Sequence, residues 1–173
     1  MNSGAGNAEI RLCEPLQRLK QEHIPLRMAM DAFYSTAQQL DEETGIEQND
    51  LVHTWLDQVA DFTVQLKKHS IKEDDGLFPM MANYMGRTVG PIAVMEYEHE
   101  QAEHYLQRFL EAAGQGERAR KHEEIRMLAG YAVQAYTILT QHFGKEEAVL
   151  FPLAENMLSP EEKQQLNRIV QEK

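Results

Sequence analysis

Apolar residues recur three and four positions apart along four long stretches of this chain, and a histidine interrupts every stretch. The first runs through Leu16, Leu19, His23, Leu26, Met30, Phe33, Ala37 and Leu40. The second runs through Trp55, Val59, Phe62, Leu66, His69, Glu73 and Leu77. The third opens at Gly90-Pro91, carries Ile92, Met95, His99, Ala102, Leu106 and Phe109, and ends near Gly114. The fourth begins around Glu117 and carries Leu128, Tyr131, Ala135, Ile138, His142, Glu146, Val149 and Leu153. Such spacing lines one face of an α-helix, and no sustained two-residue alternation marks a strand. Short links (DEETGIEQN, the stretch around GRTVG, AAGQGE) favour antiparallel neighbours. The expected fold is therefore all-α, an up-down-up-down four-helix bundle. Ser159-Pro160-Glu161-Glu162 reads as a capping box that opens a short extra C-terminal helix. The chain divides into a loose N-terminus (1–8), a bundle (9–158) and that last helix (159–173). Pro25 should kink or restart the first helix, and Pro79 and Pro152 should bend or end theirs.

Polar residues on the apolar stripe point to chemistry. His69 to Pro79 reads HSIKEDDGLFP and His142 to Pro152 reads HFGKEEAVLFP, so His-x-x-Lys-Glu-x-x-x-Leu-Phe-Pro occurs twice. Glu73 and Glu146 sit four residues after their histidines and share a helix face with them. A buried carboxylate without a partner costs several kcal/mol. Two of them, with the imidazoles of His23, His69, His99 and His142, require a compensating charge, and a metal supplies it. Imidazole with carboxylate suits Fe, Mn or Zn. Six ligands are generous for one ion and few for two, which favours a dinuclear site with both glutamates bridging and open positions left over. Glu103, four residues after His99, is the candidate for a seventh ligand or for a second-sphere acceptor of an imidazole N–H. His104 falls about 140° round the helix from His99. His53 and His122 lie about 24 Å and 30 Å along their helices from His69 and His142, and neither reaches the cluster.

Composition narrows the partners. Asp and Glu number 28 against 17 Lys and Arg, a formal charge of −11. That surface repels nucleic acid and anionic membrane and favours small cations. Cys13 is the lone cysteine, so no disulfide framework and no Cys-based cluster is available. No secretory run and no span of about 20 apolar residues is visible. A soluble, cytoplasmic protein is the expectation.

The residues that carry these features resemble the hemerythrin-like family, also called the HHE cation-binding domain. They are Glu22-His23, the paired His69/Glu73 and His142/Glu146 with their trailing Leu-Phe-Pro, and the Glu-His-Glu around His99, spread over residues 15–155. The resemblance implies a non-heme di-iron centre, two Fe ions with an oxo or hydroxo bridge, inside the bundle. Glu73 and Glu146 would bridge, His23 and His69 would hold one iron, and His99 and His142 the other. Oxygen-carrying members have a second histidine four residues after the one on the third helix, where this chain has Glu103. Reaction with O2, NO or peroxide, or iron-dependent sensing, is then as well supported as reversible oxygen carriage. Members that repair iron–sulfur clusters carry a Cys-containing N-terminal domain, against which only Cys13 stands here. Two other classes compete: a di-iron oxidase or peroxidase-like enzyme using the same ligands, and a helical partner-binding module with structural histidines. The second leaves the duplicated motif unexplained.

Overall fold

A computed structural model of the chain describes residues 10–42, 46–114 and 120–173. Residues 1–8, and the position around Glu117 where the sequence places the start of the fourth helix, lie outside them. The described residues form five helices and no strand. The first spans Glu14–Glu42 without a break at Pro25. The second runs as α-helix over Ile46–Lys72, widens into a π-helical turn over Glu73–Leu77, and continues as α-helix over Phe78–Met85. The third spans Pro91–Ala113. The fourth repeats the pattern of the second: α over His122–Lys145, π over Glu146–Leu150, α over Phe151–Met157. The fifth, Pro160–Glu172, opens with Ser159 Oγ accepting from the Glu162 amide and the Glu162 side chain accepting from the Ser159 amide.

The first helix packs on the second and fourth, and the third packs on the same two, which closes a four-helix ring. Gly86 and Gly90, with φ of 83° and 89°, bracket the turn between the second and third helices. Side chains rarely tolerate that region of backbone space. The fifth helix lies across the first helix and the π turn of the second. Gly76 makes this approach close. A Cβ there would stand 3.1 Å from Leu166 Cδ1 and 3.2 Å from Ile169 Cγ2.

Of the two expected outcomes, a bend or an end, the second does not occur: neither Pro79 nor Pro152 ends its helix. In an α-helix each proline ring would press on the carbonyl four residues back and deny it a donor. The widened turns before them take i→i+5 bonds instead, from the Phe78 amide to the Glu73 carbonyl and from the Phe151 amide to the Glu146 carbonyl. The extra residue also rotates the remainder of the helix. Val149, expected to face inward, is 58 % exposed, while Leu150, Phe151 and Ala154 take the buried positions.

The core is split in two. One apolar cluster includes Leu26, Phe33, Trp55, Phe62, Leu66, Ala102, Phe109, Leu139 and Phe143. The other includes Leu16, Leu19, Leu77, Phe78, Ile92, Met95, Leu150 and Phe151 and reaches under the fifth helix. On the first three bundle helices the histidine falls between residues that belong to the two clusters, and on the fourth the His142–Glu146 turn leads from Leu139 and Phe143 of one cluster to Leu150 of the other. A polar layer is thus sandwiched in the oily interior.

Candidate metal centre

Four helices each deliver a histidine to that layer, and the two helices with π turns add a glutamate at the first residue of the turn. His23, His69, Glu73, His99, His142 and Glu146 are all buried, none more than 5 % exposed. His69 Nε2 lies 3.2 Å from Glu73 Oε1, and His99 Nε2 lies 3.3 Å from Glu73 Oε2. His142 Nε2 and His23 Nε2 each stand 3.1 Å from a Glu146 oxygen, Oε1 and Oε2 respectively. Two overlapping sets result: His23, His69, Glu73 and Glu146, and His99, His142, Glu73 and Glu146, with donor atoms within 4.8 Å of one another in each. Both glutamates belong to both sets.

The rims of the imidazoles are held from behind. His69 Nδ1 meets Glu22 Oε2 at 2.8 Å, and His142 Nδ1 meets Glu98 Oε2 at 3.0 Å. Lys72 at 2.5 Å pairs with the other Glu22 oxygen, and Lys145 pairs with that of Glu98. His23 Nδ1 meets Glu147 Oε1 at 2.7 Å, where Arg27 also binds at 2.8 Å, and His99 Nδ1 meets Asp74 Oδ1 at 2.8 Å. A carboxylate on Nδ1 fixes each ring with Nε2 turned inward and raises its basicity as a ligand. His23 is further set by Phe143, stacked at 4.3 Å between ring centroids.

This backing has an internal two-fold pattern. The acid preceding the histidine of an odd helix supports the histidine of the next helix (Glu22 for His69, Glu98 for His142). The acid following each shared glutamate supports a histidine of the opposite half (Asp74 for His99, Glu147 for His23). Sequence reasoning missed the roles of these acids and of Lys72 and Lys145. The lysine shared by the two copies of the motif, and the Glu-His pair before each copy, were the available signals.

The inward atoms have no hydrogen-bond partner within the described residues. They are His23, His69, His99 and His142 Nε2, with both oxygens of Glu73 and of Glu146, all buried. The 3.1–3.3 Å approaches lack hydrogen-bond geometry, yet they suit neighbours on one ion. Metal–ligand bonds of about 2.0–2.2 Å place adjacent donors roughly 3.0–3.5 Å apart. The donor set fits a cation in each group.

The proton equilibria agree. Burial opposes protonation of His69, but Glu73, Glu22 and Glu146 push its pKa up to about 10. Asp74 and Glu73 do the same for His99, also to about 10, and Glu146 with Glu98 raises His142 against its burial. Burial pushes Glu73 upward, but His69 and His99 hold it well below the usual carboxylate range. Glu146 is lowered too, His142 and His23 outweighing burial and the charge of Glu73. Protons on His69, His99 and His142 would stand in for a cation, and the two would compete for the same nitrogens.

Glu103 is not brought into the layer. Its side chain is 40 % exposed and pairs with Lys67 at 2.7 Å. The buried stripe of the third helix steps through His99, Ala102, Leu106 and Phe109. At 100° per residue Glu103 falls about 40° to the other side of His99 from those residues. His104 is exposed, and neither His53 nor His122 joins either set.

Among the described residues, no helix is long and apolar enough to cross a membrane. A comparison with curated proteins gives no match. The hemerythrin HHE cation-binding domain, compared as a family, matches residues 14–154. That span holds the whole polar layer, from Glu22 to Glu147. With the buried imidazoles and carboxylates in place and the match running through them, the chain belongs to the hemerythrin HHE cation-binding domain family.

Proposed function

We propose that this chain holds two non-heme irons and offers their open coordination positions to O2, NO or peroxide, in sensing, storage or stress response. The observation that carries the reading is the pair of donor sets sharing both Glu73 and Glu146, with inward atoms that have no other partner. Each set supplies two imidazole nitrogens and one oxygen from each glutamate. Four donors leave room on an ion that prefers six, and bound irons would supply redox chemistry there. The protein's part is to fix that environment. Glu22, Asp74, Glu98 and Glu147 orient the imidazoles, and the apolar layers above and below exclude bulk water. With Glu103 paired to Lys67 at the surface, the His99–His142 set gains no second side chain from the third helix. This favours ligand chemistry at both ions rather than at one.

Metal analysis of protein from iron-replete cells, with ultraviolet–visible spectra before and after air and NO, tests the reading. Two irons per chain and a near-ultraviolet to visible band that responds to the gases are expected. His69→Ala and His142→Ala should lose metal while keeping helical circular dichroism. One zinc, or no metal, would end the proposal. Steady peroxide consumption well above that of free iron would instead mark a di-iron oxidase or peroxidase.

A further inference from the structure

Of the six donors, His99 borders a surface cleft. The cleft, about 230 Å³, is lined by Asp74, Arg87, Glu96, His99, Glu100 and Glu103. His99 is 5 % exposed, its Nε2 faces the shared glutamates without a hydrogen bond, and Asp74 holds its other nitrogen. Four carboxylates thus line a cleft that also borders His99. Arg87 is drawn aside by Glu96 at 2.7 Å, and Lys67 holds Glu103 at 2.7 Å from the flank. Glu100 is exposed and has no ion pair among the described residues.

We propose that this cleft is the route by which divalent cations reach the polar layer. Glu100 and Glu103 collect a hydrated cation at the surface, and His99 beside Asp74 is the first donor it meets. The motive force is electrostatic. Acid-lined clefts with low-dielectric walls focus the field and raise the local concentration of counter-ions, to an extent that falls with salt. Glu103 has a part here that its place on the helix denies it as a ligand. It is free to exchange Lys67 for a passing cation because both partners are solvated at the surface. This inference rests on the reading that the layer binds metal, but not on which metal.

The test is the rate of Co²⁺ uptake by the metal-free full chain, followed by stopped-flow absorbance, with the bound ions counted at the end. Glu100→Gln/Glu103→Gln removes charge from the cleft. Asp50→Asn/Asp57→Asn removes as much charge from exposed positions roughly 18 Å or more back along the second helix from His69. At low ionic strength the cleft variant should load about tenfold more slowly, with the wild-type number of ions bound at the end. In about 0.5 M salt the gap should close to within twofold, and the distant variant should track wild type throughout. A cleft variant that loads at the wild-type rate, or a distant variant slowed as much, overturns the route. A cleft variant that binds fewer ions also overturns it, by making Glu103 or Glu100 a ligand. Failure of the wild-type chain to take up Co²⁺ would instead bring down the metal reading itself.

Discussion

Glu22→Ala is the sharpest probe of how the imidazoles are held. Glu22 is only partly exposed, at 27 %, and joins His69 Nδ1 at 2.8 Å to Lys72 Nζ at 2.5 Å. Loss of such a supporting carboxylate commonly weakens metal binding 10–100-fold. Two features place this site near the lower end. Water can enter where the carboxylate stood, and only one of the four donors to that ion loses its brace. About 10–30-fold is expected at the His23–His69 set, which is roughly 1.4–2 kcal/mol. With metal in excess the loaded protein loses the same amount of stabilisation. At about 2–4 °C per kcal/mol for a chain of this size, the melting temperature falls by roughly 3–8 °C relative to the metal-free change. The metal-free protein is the necessary reference, because Lys72 loses its partner with or without metal. Competition against a chelator gives the two affinities, and calorimetry with and without metal gives the melting temperatures. Glu22→Gln separates causes: it keeps an acceptor for Nδ1–H but removes the charge, so its loss should be the smaller if orientation dominates. Two isotherms that superimpose on wild type would refute the bracing role. Equal weakening at both ions would show that the two sets are not supported separately.

Three further outcomes are expected from other parts of the structure. In the metal-free protein the raised pKa values of His69 and His99 contribute stability that is complete below their ordinary value of 6.5 and is lost as pH climbs through about 10. Metal binding strengthens over the same range as protons cease to compete, so the gap in melting temperature between loaded and metal-free protein should widen from pH 6 to pH 9; a gap that narrows would contradict this. Gly76→Val must push the fifth helix off the second, since even a Cβ would meet Leu166 Cδ1 at 3.1 Å; a loss of about 2–3 kcal/mol is expected in denaturant titration. Ser159→Ala removes the acceptor of the Glu162 amide and should lower stability by about 1 kcal/mol with little change in helical signal.

Much of the bundle is legible in the sequence because its periodicity is strong and because histidine on an apolar stripe is costly to explain otherwise. The stripe identifies His23, His69, His99 and His142 with Glu73 and Glu146, and the structure gathers those six. Two features escape pattern reading for geometrical reasons. Spacing gives the face of a helix but not the depth at its edge, so Glu103, one turn from His99, reads as a ligand candidate although it pairs with Lys67 outside. The π turns escape because proline reads only as a bend or an end of a helix. An i→i+5 turn accommodates it, and the shift in register leaves Val149 outside and Leu150 inside. The braces Glu22, Asp74, Glu98 and Glu147 lie beside stripe residues, where pattern reading assigns solvent. Only the closeness of four helices turns them towards the rings.

The cross-bracing has a bearing on how such a protein can change. His23 belongs to the first helix but leans on Glu147 of the fourth, and His99 of the third leans on Asp74 of the second. Neither half of the chain therefore braces its donor set alone. A substitution at Asp74 or Glu147, in one copy of the repeated segment, is felt by a histidine of the opposite half. If two metals are held, giving them different affinities would then demand paired changes in both copies of the motif.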